Sequence, residues 1–444
     1  MPTARLRPGA APRSLLLTDA DVIVLGAGAA GLAAARKLAR ESLRVLVVEA
    51  RDRVGGRVLW QTIRGFTAEL GAEFIHGPAK RTIALLQEAG LHALEIRDTT
   101  TFKSAAAIFE DARDLSDDES VDQFLTRCAS DSASRENAAL ARMFVEGFDA
   151  ADPAIASAKA IALEWGSGVD TIVRRPSEGY AALFNHLRDE CIAAGVRICA
   201  SSTVREVSWQ RGGVAMHVTG AQRDSTTFRA QTAVVTLPVG VLRHRGDATA
   251  VAFDPMLPER KRAALQYLEM GPAVKVALWF ATAFWERLRD GLYRDAVFFQ
   301  SEHQPFRVYW TQMPLRLPFL IAWVGGPSAA AVGATPPDRL VDAALRGLGE
   351  LFGDEAIVRR EFAGAALHDW QSDPLSRGAY SYVTVGGDEA RATLAEPIEE
   401  TLFFAGEATC VDGQSGTVNG AIESGERAAD EVSAALRRKR RRDD

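Results

Sequence analysis

The residues from Asp21 to Ala50 leave this chain few folds to choose from. DVIVLG is an apolar run ending on glycine, AGLAAARKLARES carries helical spacing, and RVLVVEA is a second apolar run. Strand, helix and strand in that order specify an α/β unit. Gly26, Gly28 and Gly31 in GAGAAG occupy the first strand-to-helix turn. Glycine there permits a tight turn, lets the backbone approach a pyrophosphate, and allows close packing of helix on strand. The helix N-terminus, with Ala30 in its first turn, then faces the phosphates. Glu49 and Ala50 close the second strand about 20 residues on, where a carboxylate accepts hydrogen bonds from an adenosine ribose. An adenine dinucleotide is the ligand this pattern predicts.

With 444 residues the chain exceeds one ordinary domain. Its 47% hydrophobic and 25% charged residues are the balance of a soluble globular protein. A net charge of -6, with basic residues concentrated only in the terminal RRKRRR, excludes nucleic acid as the main partner. That tail reads as solvated. Cys128, Cys191, Cys199 and Cys410 are scattered without metal-ligand or redox spacing, so free thiols, no disulfide and no metal are expected. No apolar run of about 18 residues occurs, and no membrane span is predicted. The opening MPTARLRPGAAPRSLLLTD lacks an apolar secretory segment. It reads as a frayed extension, with a transit peptide as the alternative, and the cytoplasm is the expected location. The acidic EDARDLSDDES reads as a solvated loop, or else as a lure for cations at an entrance.

A glycine-rich stretch from Arg51 to Gly77 precedes a mixed helical region reaching Trp165. The segment from Gly179 through VRICASSTVREVSW to AVVTLPVGVL returns to the first unit. After Asp254 come the helix PERKRAALQYL, the strand GPAVKVALWF, the aromatic strands RVYW and FLIAWVGG, and the helix PPDRLVDAALRGLGELFG. From Trp370 the chain reads as loop, strand LFFAGE, and a long helix from Thr417 towards Arg437. The expected division gives 1–78, 177–250 and 370–444 to the nucleotide unit and 79–176 and 251–369 to a second unit.

Just past Glu49, ARDRVGGRV carries Arg51, Gly55, Gly56 and Arg57, and ELGAEFIHG spans Glu69 to Gly77. These motifs resemble the start of the flavin-containing amine oxidases, the superfamily of monoamine oxidase, polyamine oxidase and the flavin-dependent histone demethylases. The resemblance extends over nearly the whole chain and implies a Rossmann-like FAD-binding domain interleaved in sequence with an α+β substrate domain holding a mixed sheet. It implies that Arg51, Gly56 and Arg57 meet the FAD diphosphate and its surroundings, and that Gly71, Ala72 and Glu73 run along the flavin. Thr203 and Val204 fall where the family contacts adenine, TLPVGVL is its usual strand end, and FAGEAT places Gly406 and Glu407 towards the ribityl chain. In SGTVNGAIESG, the helix beginning near Thr417 would aim N–H groups, Val418 among them, at the flavin N1 and C2 carbonyl, stabilising the reduced ring.

Lys275 lies within GPAVKVALWF, on one strand face with Ala273 and Ala277. An ammonium there must meet water, meet a carboxylate, or lose its proton. An edge-strand lysine reaching solvent is the plain alternative. By resemblance Lys275 matches the lysine that holds a water against flavin N5. The segment HDWQSDPLSRGAYSYV places Trp370, Asp373, Pro374, Gly378 and Tyr380 as in the family's loop into the flavin face. Tyr380 would form one wall of an amine-binding cage, or else pack with Tyr382 as an ordinary strand aromatic. Thr417 stands where the second wall would carry tyrosine, which leaves the cage half open.

Ala379 matches the cysteine that carries covalent flavin in monoamine oxidases, so noncovalent FAD is implied. Phe74 stands where amino-acid oxidases carry an arginine for the substrate carboxylate. His76 matches a histidine of animal polyamine oxidases, and Glu73 offers a carboxylate to a cationic amine; either residue also fits an ordinary hydrogen-bonded role. The implied function is FAD-dependent oxidation of a small amine or polyamine, with a hydride passing to the flavin, oxygen reduced to hydrogen peroxide, and the imine hydrolysed. Substrate contacts are expected from Phe74, His76, Tyr380 and Thr417, and catalysis from Lys275 and Tyr380. The alternatives are an L-amino-acid oxidase, if Arg174, Arg175 or Arg307 reaches the cavity, a flavin dehydrogenase or desaturase with another acceptor, and a flavin-binding regulator. A histone demethylase is disfavoured, because the chain has room for neither an extra N-terminal module nor a long helical insertion. A homodimer is left open.

Overall fold

Strand Val22–Leu25 lies at the middle of a five-stranded parallel sheet in the order Leu402–Phe404, Thr232–Val235, Val22–Leu25, Val45–Val48, Arg197–Cys199. Strands covered on both faces read as unbroken apolar runs, as VIVL, VLVV and TAVV do. Val22, Val24, Val45 and Val47 pack beneath helices Ala29–Arg40, Gly179–Ala193 and Val418–Asp443. On the opposite face Ile23, Leu25, Leu46 and Val48 meet a four-stranded sheet built on Thr203–Gln210 and Gly213–Thr219. The computed structural model describes residues 18–443 except 64, 97–106, 170–171, 223 and 302–304. Residues 1–17 of the N-terminal extension lie outside the described residues.

The second large sheet runs Phe298–Gln300, Val308–Thr311, Phe319–Gly325, Ala273–Phe280, Phe362–Asp369, with antiparallel pairings throughout. Every residue of Ala273–Phe280 is buried. Val274, Val276, Leu278 and Phe280 pack under helix Pro337–Phe352. The alternate residues Ala273, Ala277 and Trp279 face Ala68, Leu70, Trp310 and Trp370. Lys275 shares that second face, which looks towards the nucleotide unit. Its strand has neighbours on both sides, so the edge-strand reading does not hold.

Several local readings change. Strand Phe362–Asp369 was not foreseen: FAGAALHD is poor in β-formers, and its pairing with Ala273–Phe280 makes it a strand. Two pairings run across the expected division, Ala252–Asp254 with Thr203–Gln210 and Leu268–Gly271 with Tyr380–Val383. The acidic stretch is partly structural: Asp118 accepts from Ser157 Oγ and Gly386 N at 3.0 Å each. Ser120 and Gln123 form a capping box on helix Val121–Cys128. The final helix continues to Asp443, since arginine and lysine favour helix and complement its C-terminal dipole. Arg437 and Arg438 pair with Glu41 and Glu400 rather than standing free. The four cysteines are free thiols, and among the described residues no helix is long and apolar enough to cross a membrane.

The first and last helices touch backbone to backbone. A Cβ on Gly425 would lie 2.2 Å from the Ala30 carbonyl oxygen. Gly425→Val therefore overpacks the layer that carries the nucleotide turn and should cost about 1–3 kcal/mol. Urea unfolding checks this, and an unchanged midpoint would remove the close crossing from the account.

Candidate active site

Between the parallel sheet and the second sheet lies a cavity of about 700 Å³. At one end it is lined by Gly26, Gly28, Ala30, Glu49, Ala50, Arg51, Gly56 and Val204. Gly26 has φ +101°, and a Cβ on Gly31 would fall 1.9 Å from the Gly26 carbonyl oxygen, so the turn closes only with glycine at both places. A Cβ on Gly28 would meet no protein atom nearer than 3.9 Å, leaving room for a ligand to approach the backbone. Gly55 N donates to Ala27 O at 2.9 Å, laying the RVGG loop against this turn. Glu49 is buried; its two oxygens accept from Ala27 N at 2.7 Å and Arg51 N at 2.8 Å. Each oxygen keeps a lone pair for a ribose hydroxyl. Turn, helix start and carboxylate fit the adenosine diphosphate half of FAD.

Both arginines come already paired. Arg51 donates to Asp373 Oδ1 at 3.0 Å and Ser376 Oγ at 2.9 Å. Burial opposes ionisation of Asp373, yet hydrogen bonds from His368 and Arg51 hold its carboxyl well below the usual range. Arg57 bridges Glu407 Oε1 at 2.8 Å and Ala379 O at 3.0 Å. Glu407 is buried as well, but Arg57 and Arg391 outweigh that cost and keep it ionised. Gly71 and Ala72 line the cavity together with Gly406 and Glu407. A Cβ on Gly71 would lie 2.0 Å from Arg57 O, so this loop too packs backbone on backbone.

Thr417 has a structural role besides the expected place on the cavity wall. Its hydroxyl accepts from Gly420 N at 3.0 Å and donates to Gln414 O at 2.6 Å, capping helix Val418–Asp443. The cap uses its proton and one lone pair, leaving the second lone pair unused. Thr417, Val418 and Ala421 nevertheless line the cavity, so the start of a 26-residue helix points into it.

Lys275 resolves its three options in favour of a carboxylate. Its Nζ donates to Glu73 Oε2 at 2.6 Å and to Gly71 O at 3.0 Å. Glu73 also accepts from Trp310 Nε1 at 3.1 Å and Gln312 Nε2 at 3.3 Å, with Arg175 at 3.4 Å. Burial alone would raise the Glu73 pKa; Lys275 and Arg175 overcome it and lower it. Glu73 is therefore occupied and unavailable to a cationic amine, which corrects that expectation. Behind it, burial lifts Glu69 to about 8, and its Oε1 accepts from Tyr180 N at 2.7 Å.

Aromatic side chains close this end. Tyr380 lines the cavity, donates its hydroxyl to Phe148 O, and rests on Gly416. Trp370 is fixed by Nε1 donating to Leu70 O at 3.0 Å. Phe74 packs against Trp310 and Phe298 with ring centroids 5.5 and 5.9 Å apart. His76 lies edge-on to Phe148 at 5.1 Å, and burial lowers its pKa to about 4, so it is neutral near pH 7. Arg174 and Arg175 do not line the cavity, nor does Arg307; the described arginines that do are Arg51 and Arg57, both paired. Sequence reasoning overlooked the cavity carboxylates Asp149 and Glu164, which lie in segments without a motif, and gave Trp310 no role.

The profile of the flavin containing amine oxidoreductases matches residues 29–113 and 101–433. The chain is 30% identical to lysine-specific histone demethylase 1 homolog 2 of Arabidopsis thaliana over 94% of its own length and 58% of the relative's. It is 27% identical to polyamine oxidase 4 of Oryza sativa subsp. japonica, covering 93% of this chain and 88% of that one. The chain thus spans a little over half the length of the demethylase relative. Among solved structures it resembles putrescine oxidase bound to putrescine, with TM-score 0.77, 24% identity, and 94% and 99% of the two chains covered. Cyclohexylamine oxidase from Brevibacterium oxydans follows with TM-score 0.75, 21% identity, and 94% and 100% covered. These two share the fold.

The neutral His76 sets an acid limit. An unfolded histidine titrates near 6.5, whereas the folded one holds its proton only below about 4. The unfolded chain therefore binds more protons between those values, and stability that is complete above pH 6.5 falls as pH drops towards 4. His76→Gln should flatten this fall, as urea midpoints at pH 7 and 5 would show; parallel losses in both proteins would rule the contribution out.

Proposed function

The chain belongs to the flavin containing amine oxidoreductases, and from that premise we propose that it oxidises the carbon–nitrogen bond of a small amine or polyamine, with oxygen as electron acceptor. FAD is the cofactor of the family; when bound, it supplies the acceptor for a hydride from the carbon beside nitrogen and returns the electrons to oxygen as hydrogen peroxide. The observation that carries the reading is the Lys275 ammonium, held at the cavity wall by Glu73 and Gly71 O. An ammonium has three N–H donors; two are used, and the third is available to hold a water. That water serves reoxidation or hydrolysis of the imine to an aldehyde or ketone and ammonia or an amine.

Tyr380, Phe74 and Trp310 give the substrate flat apolar walls, and the neutral His76 places no charge against an amine. An amino-acid substrate fits less well, because both described cavity arginines are already paired with carboxylates. The identity to histone demethylases favours a second reading, in which the amine belongs to a lysine side chain of a histone. Noncovalent FAD is part of the proposal. Ala379 lines the cavity, and no cysteine is among the described residues that do.

Acid precipitation should release all the yellow colour into the supernatant, whereas flavin retained by the pellet would contradict noncovalent binding. The activity is tested by anaerobic mixing of the FAD-loaded protein with monoamines, polyamines, methylated-lysine peptides and L-amino acids, followed by admission of air and a peroxide assay. Small amines should bleach the flavin, and turnover should fall about 10²-fold in Lys275→Met with FAD content retained. Bleaching by amino acids alone, or by no amine, would overturn the proposal.

A further inference from the structure

Resting on that reading and deepening it, we infer that Asp149 is a second cation-binding point of the cavity, so that the substrate is a diamine or longer polyamine whose unreacted ammonium pairs with this carboxylate. Asp149 follows helix Ser132–Gly147 and comes directly after Phe148, whose carbonyl accepts the Tyr380 hydroxyl. The segment is firmly held. Gly147 O accepts from Trp323 Nε1 at 2.7 Å, and Ala150, with φ +51°, packs so closely that a Cβ on Gly271 would lie 2.6 Å from its carbonyl oxygen. A carboxylate is thereby fixed beside the aromatic wall proposed to orient the amine.

The surroundings of Asp149 differ from those of the other carboxylates lining the cavity. Glu73 pairs with Lys275, Glu407 with Arg57, and Glu164 with Arg391 at 3.0 Å. Glu49 takes two backbone N–H groups and stands at the ribose end. Asp149 is only 9% exposed, and its side chain accepts from the Trp165 indole at 3.0 and 3.3 Å. Among the described residues no cation lies within ion-pair distance of it. Burial and the nearby Glu164 both favour its protonated form. A carboxylate so placed is costly unless a cation arrives with the ligand.

The reacting nitrogen is not that cation. Its lone pair must be free for the adjacent carbon to release a hydride, and contact with a carboxylate would hold it as ammonium. The nitrogen that remains charged is the one suited to Asp149, with the alkyl chain lying along Phe144, Phe148 and Tyr380, which also line the cavity.

The test is an anaerobic titration of the FAD-loaded protein with butane-1,4-diamine and with butylamine, reading perturbation of the flavin spectrum for binding and bleaching for reaction. The wild type should bind the diamine about 10- to 100-fold more tightly than the monoamine, and Asp149→Asn should collapse that ratio towards one. Equal affinities in the wild type, or an unchanged ratio in the variant, would overturn the inference. The wild-type comparison decides the matter even if the variant fails to hold FAD. Bleaching by both amines without diamine preference removes this site and leaves the proposed function; a diamine preference lost in Asp149→Asn without bleaching by any amine leaves the site and removes the oxidase reading.

Discussion

The ion pair between Lys275 and Glu73 joins the two halves of the cavity. Glu73 follows the Gly71–Ala72 loop of the nucleotide unit, while Lys275 stands on an interior strand of the antiparallel sheet. Neither charge is tolerable there alone, since removing one partner of a buried pair typically costs roughly 3–5 kcal/mol. Gly71 O takes a second N–H of Lys275, and Trp310, Gln312 and Arg175 surround the remaining lone pairs of Glu73. The loop along the cavity wall is thus tied to the sheet opposite by charge as well as by packing. That tie fixes where the ammonium sits relative to Ala72, Phe74 and Tyr380.

The same rule governs the rest of the cavity. Arg51 is balanced by Asp373, Arg57 by Glu407, and Arg391 by Glu164. What remains for a bound anion is backbone polarity, from the glycine turn with the first helix at one end and from helix Val418–Asp443 at the other. What remains for a bound cation is Asp149. The proposed amine's second ammonium would take the latter place and the dinucleotide the former, while the paired charges tie the walls together.

Much of the nucleotide end was legible in the sequence because its determinants are local. Strand, turn, helix and carboxylate lie within Asp21 to Ala50; Gly26 and Gly31 answer steric demands of the turn itself, and Gly28 leaves the backbone open to a ligand. Lys275 stood out because an ammonium inside an apolar strand needs a partner. Its partner was quoted in the motif but read as lying along the flavin or facing a cationic amine, because sequence does not show that Glu73 and Lys275, 202 residues apart, meet. Strand Phe362–Asp369 was hidden for a related reason, its conformation being imposed by the neighbouring strand rather than by its own alanines. Thr417 was read by position in a motif, which put it on the cavity wall but did not show that its hydroxyl caps the last helix. Asp149 and Arg175 carry no local signature at all, and only burial distinguishes them from surface charges.

The account stands on breaking a C–H bond beside nitrogen, with the protein orienting the amine and holding one water. Single-turnover anaerobic reduction of the FAD-loaded protein, with butane-1,4-diamine carrying deuterium at C1 and C4 against the unlabelled diamine, probes that step directly. The account predicts bleaching that is severalfold slower with the deuterated compound. Equal rates for the two would contradict it, because the carbon–hydrogen bond would then not be broken in the step that reduces the flavin.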